Sequence, residues 1–118
     1  MALISKLFKG DRIFERCLVD DAAHITPGSK GFHVAKIQDS LMKLEGVFPA
    51  KAERDRAFYG PTTAKAVLSY KTKRRIINTT YQHAPDNIVG KMTIKAMDAE
   101  MAVYESRQRL VNPESNDQ

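Results

Sequence analysis

The chain holds a single cysteine, Cys17, so an internal disulfide is excluded and the redox compartment is left open. Cys17 reads as a small buried apolar residue. No apolar run approaches the roughly 20 residues that a membrane-spanning helix needs. The opening Met1-Ala2-Leu3-Ile4-Ser5-Lys6-Leu7-Phe8-Lys9 is interrupted early by charge and is followed by no small-residue cleavage site, so no secretory signal is read there. Catalytic sets are missing too. There is no metalloprotease helix motif, no nucleophile elbow and no paired carboxylates placed for acid–base work, so no enzyme is expected. Cys17, Asp20, Asp21 and His24 are all metal-ligand types, but their spacing fits no standard zinc pattern, and His33 and His83 lie in unrelated segments. No metal and no cofactor are expected.

What is present describes one globular domain. The chain has 118 residues, 42% hydrophobic and 28% charged, which is ordinary for a protein that buries a modest core. A net charge of +5 suits acidic partners in general. Its densest expression is Lys71-Thr72-Lys73-Arg74-Arg75, which reads as the positive end of a helix, matched to the macrodipole. No nucleic-acid motif accompanies this run, so a nucleic-acid partner is not expected.

The hydrophobic pattern is helical throughout. Ile13, Phe14, Cys17 and Leu18 predict a short helix over about 11–19, with Ile13, Phe14 and Leu18 needing burial. Val34, Ile37, Leu41 and Leu44 predict a longer one that stops near Gly46, with Lys36, Asp39, Ser40 and Lys43 on its polar side. Residues 47–59 read as a loop with a helical turn within 50–56. A third long segment starts at Gly60-Pro61, since proline suits the first helical position. It buries Ala66, Val67, Tyr70 and Ile77. After a loop over 78–89, Ile94, Met97, Met101 and Tyr104 mark the last helix, and the tail from Asn112 is polar and frayed.

Two stretches repeat. Tyr59-Gly60-Pro61-Thr62-Thr63-Ala64-Lys65-Ala66-Val67 recurs thirty residues later as Val89-Gly90-Lys91-Met92-Thr93-Ile94-Lys95-Ala96-Met97, with four of nine positions identical. Each copy reads as a helix start, and two such starts imply a duplicated helical unit.

The series Gly31-x-x-Val34-x-x-Ile37-Gln38-x-x-Leu41-x-x-Leu44, then Tyr59-Gly60-Pro61-x-Thr63-x-x-Ala66-Val67-x-x-Tyr70, then Asp86-Asn87-Ile88-Val89-Gly90-x-x-Thr93, resembles the peptidoglycan-binding domain family over about residues 30–101. The resemblance implies an all-α, three-helix orthogonal bundle over 30–111, preceded by a short N-terminal helical extension over 1–29 and followed by a flexible tail over 112–118. It also implies a bacterial, non-catalytic module that docks on cell-wall peptidoglycan, through the glycan strand or the stem peptide, and localises a partner activity there. That partner would be a cell-wall hydrolase, a toxin or a secretion-system protein. With no signal segment, the chain is expected to be cytoplasmic as synthesised and delivered to the periplasm or envelope by a dedicated secretion system. The alternative is a protein–protein adaptor that reuses the fold and binds no glycan.

Ligand contacts implied by the resemblance fall on Phe58, Tyr59, Thr63, Asp86 and Asn87, with His33 and Lys36 from the first long helix; the alternative for Phe58 and Tyr59 is that they anchor their loop into the bundle. Where the family places Asp-Gly before its aromatic-Gly-Pro, this chain has Arg56-Ala57 and, in the second copy, Asp86-Asn87. Asparagine tolerates positive φ and alanine does not, so the second turn is expected to survive and the first to take another shape. Tyr70-Lys71 also stands where the family has Phe-Gln.

Overall fold

The computed structural model describes residues 3–20, 23–77 and 86–111, and these are mostly helical. Among the described residues five helices follow in order: α1 (Arg12–Cys17), α2 (Phe32–Glu45), α3 (Lys51–Arg56), α4 (Pro61–Arg74) and α5 (Lys91–Val111). No named strand occurs among the described residues. Two isolated bridges are present instead, Ile25 with Val89 and Lys30 with Phe58. The loop over 78–85, Asp21 and the tail from Asn112 lie outside the described residues.

The stripe on α2 does what its spacing demands. Val34, Ile37 and Leu41 are fully buried and Leu44 packs against the same core. Gly46 ends the helix in the left-handed region at φ 66°, a conformation that glycine adopts without strain. Ser40 departs from its expected polar side and is fully buried. Its hydroxyl donates to the Ile37 carbonyl at 2.8 Å and meets Met97 Sδ at 3.4 Å, so the polar group is satisfied where α2 meets α5.

Helix α4 opens on Pro61 and closes at Arg74, with Arg75 left-handed at φ 55°. That turn changes the phase of the chain. Ile76 is therefore buried and Ile77, the residue expected in the core, is only half-buried. In α5, Ile94, Met97 and Met101 are buried in register, with Tyr104 packed at the edge. Helix α2 packs against both α4 and α5, and α1 lies on α5.

The described residues ahead of residue 30 belong to the same core. Leu3, Phe8, Phe14, Cys17, Leu18 and Ile25 are buried in one cluster with the long helices, and Phe8 meets Phe14 edge-on at 4.8 Å. Ile13 is the exception, 41% exposed. Backbone amides near the N terminus are taken up by α5. Asp98 accepts from the amides of Ile4 and Ser5, and Glu105 accepts from those of Lys6 and Leu7. The boundary at residue 29 thus divides the sequence without dividing the packing.

Candidate functional site

Both copies of the repeat begin a helix with a glycine, which carries no side chain to accept from the free amides of the first turn. An acceptor must come from elsewhere. For α4 it is Glu53 of α3. One carboxylate oxygen takes the amide of Thr62 at 2.9 Å, and the other takes the amide of Thr63 at 2.8 Å and its hydroxyl at 2.7 Å. Burial works to raise the Glu53 pKa, but these hydrogen bonds prevail and hold it at about 2, below its ordinary 4.5. The carboxyl group lies so close over Gly60 that a Cβ there would sit 2.6 Å from it. Gly60 is therefore required for close approach, at an ordinary φ of −97°.

Thr63 also accepts from Gln38 Nε2 at 3.0 Å, and the same amide group donates to the Phe58 carbonyl at 3.1 Å. Gln38 thereby ties α2 to the loop ahead of α4. Sequence reasoning missed Glu53, and it quoted Gln38 in the family-like string without giving it a role. A signal existed in the helix start Gly-Pro-Thr-Thr, whose cap glycine has no side chain to accept from the first amides and therefore calls for an acceptor from elsewhere.

Residues 25–31 run between the two helix starts and hold them side by side. Ile25 exchanges both backbone hydrogen bonds with Val89 at 2.8 Å. Farther on, the Gly28 amide donates to the Tyr59 carbonyl, the Tyr59 amide to the Ser29 carbonyl, and the Gly31 amide to the Ala57 carbonyl. The Tyr59 hydroxyl completes the junction by donating to the Asn87 carbonyl.

The residues expected to touch ligand separate into three groups. Tyr59 and Thr63 are fully buried and joined to their neighbours, so their side chains build the junction and present no ligand platform. Burial, with Asp86 nearby, pushes the Tyr59 hydroxyl pKa up. Phe58, Asp86 and Asn87 are half-buried at its surface. Asp86 is bound to Lys71 Nζ at 2.5 Å, and the same ammonium donates to the Ile88 carbonyl at 2.7 Å. The Tyr70-Lys71 departure thus has a physical role, because Lys71 is buried and anchors the second loop. Lys36 pairs with Asp11, the cap of α1, at 2.9 Å, and His33 is half-buried, its imidazole pKa pulled down by burial against the opposing pull of Asp11. Those two residues face α1 chemistry more than the loops.

Phe32, 87% exposed, is an exposed aromatic next to Gly31 of this junction. It follows Gly31 and lies off the Val34–Ile37–Leu41 stripe, a phase that was readable from the sequence. A separate groove of about 380 Å³ has Leu7, Met101 and Tyr104 on its apolar side and Lys43, Glu105 and Arg109 among its charged lining. None of the expected contacts lines it.

The turns ahead of the two copies invert the expectation. Ala57 is left-handed at φ 49°, ψ 47°, so the first loop keeps the turn that a glycine would favour. Asn87 has no positive φ. The basic run is likewise occupied. Lys71 is buried, Lys73 and Arg74 both pair with Glu45 at 2.8 Å, and Arg74 also meets Glu100 at 2.6 Å. Arg74 lies over the Tyr70 ring at 3.7 Å, so this stretch locks α2, α4 and α5 together.

Among the described residues no three His, Cys, Asp or Glu side chains are grouped to hold a metal. Cys17 donates to the Ala23 carbonyl at 3.1 Å, and burial pushes its thiol up to about 11, the character of a packed rather than a reactive cysteine. No helix among the described residues is long and apolar enough to cross a membrane. Comparison of the chain with protein-family models, with curated proteins and with solved structures finds no match.

Proposed function

We propose that the chain is a non-catalytic module that docks on bacterial cell-wall peptidoglycan and localises a partner activity there, on a three-helix bundle of the peptidoglycan-binding type. The observation that carries this reading is the doubled helix start. Tyr59-Gly60-Pro61-x-Thr63 and Val89-Gly90-Lys91-x-Thr93 are set side by side by the segment 25–31, so their loops form one surface. Phe32, Phe58 and Asn87 give that surface an aromatic and a hydrogen-bonding group suited to sugar rings and N-acetyl groups.

Purified insoluble sacculi provide the test. The chain is expected to sediment with them at moderate salt, and Phe32→Ala with Asn87→Ala to reduce the retained fraction severalfold. A chain that stays in the supernatant removes the wall-binding reading. A stable co-purifying protein in that case supports the adaptor instead.

A further inference from the structure

The two helix starts share a register but differ in what fills them. In the first, the amides of Thr62 and Thr63 and the Thr63 hydroxyl converge on the Glu53 carboxylate. The equivalent groups in the second are the amides of Met92 and Thr93 and the Thr93 hydroxyl. Among the described residues no side chain accepts from either amide. Thr93 is 1% exposed, and its hydroxyl has no hydrogen-bond partner. A buried hydroxyl without a partner is uncommon, and here it stands at the N terminus of a 21-residue helix whose first turn contains no acidic residue. Lys91 and Lys95, both exposed, add positive charge to the same turn. His24 lies over Gly90 as Glu53 lies over Gly60, its Nε2 2.9 Å from where a Cβ would be.

We infer that the N terminus of α5 binds a carboxylate from outside the chain, held by the Met92 and Thr93 amides and the Thr93 hydroxyl as α4 holds Glu53. Resting on the wall-binding reading, the occupant is a free carboxylate of a peptidoglycan stem peptide. Its entry requires the His24 ring over Gly90 to give way. The internal copy supplies the geometry: one oxygen on the first amide, the other shared by the second amide and the hydroxyl.

The test is a titration of the ¹⁵N-labelled chain with N-acetyl-dialanine, with its C-terminal amide, and with acetate at matched ionic strength. The Met92 and Thr93 amide resonances are expected to move saturably with the acid and to stay in place with the amide. Thr93→Val should weaken binding about tenfold, the loss of one charge-assisted hydrogen bond, while Thr93→Ser keeps it. No response at these two amides, an equal response to the amide form, or unchanged binding by Thr93→Val overturns the site. Acetate binding as tightly as the dipeptide overturns the peptide as occupant. Sacculus retention without any dipeptide response overturns this site and leaves wall binding standing, and a dipeptide response in a chain that ignores sacculi does the reverse.

Discussion

Glu53 and the two repeated threonines show how much a single polar atom decides here. Because the Glu53 pKa is depressed in the folded chain, its contribution is fully present above the ordinary carboxylate value of 4.5 and is lost as pH falls toward about 2. The shift corresponds to about 3 kcal/mol at neutral pH. Glu53→Gln should lower the urea midpoint at neutral pH and flatten the acid limb of the stability curve across that window. The threonines should respond in opposite directions to the same change. Thr63→Val strips a partner from Glu53 and Gln38 and is expected to destabilise by about 2 kcal/mol, whereas Thr93→Val removes an unsatisfied buried hydroxyl and should stabilise by about 1 kcal/mol. Paired denaturation curves of the two variants check this directly.

At the scale of the elements, the helices were legible because their apolar stripes repeat at helical spacing and their ends are marked. Val34, Ile37 and Leu41 on α2, and Ile94, Met97 and Met101 on α5, are buried as their spacing requires. Gly46 and Pro61 mark the ends. What the pattern could not carry is long-range partnership. Nothing local to Ser40 says that Met97 will cover it, and nothing near Gly60 points to Glu53. The same limit explains the site. In sequence Tyr59 reads either as a ligand platform or as an anchor for its loop, and what buries it, Ile25–Gly31 and Asn87, is distant in sequence. The turn at Ala57 shows a different kind of miss, since its carbonyl accepts from the Gly31 amide and its own amide donates to the Arg54 carbonyl at the end of α3, and these bonds hold an alanine in a region it disfavours. Replacing the alanine with glycine relieves that strain, so Ala57→Gly is expected to stabilise by about 1 kcal/mol, read as a higher urea midpoint with unchanged slope.

For the molecule as a whole, the residues ahead of α2 are structural members of the core. Five of the buried apolar side chains, Leu3, Phe8, Phe14, Cys17 and Leu18, come from residues 3–20. Burying each large apolar side chain is worth roughly 1.5–3 kcal/mol, against a total stability of about 5–15 kcal/mol for an ordinary domain. A chain starting at residue 30 should therefore fail to fold, giving collapsed amide dispersion in an NMR spectrum where the full chain gives a dispersed one. A stable, well-dispersed truncated chain would show that residues 1–29 are a detachable preface after all.

The carboxylates of Asp98 and Glu105, which accept from the amides of Ile4 to Leu7, also set a schedule. A ribosome makes those four amides more than ninety residues before their acceptors, so they leave the exit tunnel still bound to water. Native closure must wait until the middle of α5 has emerged. The long sequence separation of these closing contacts slows folding relative to a helical bundle joined only by neighbours.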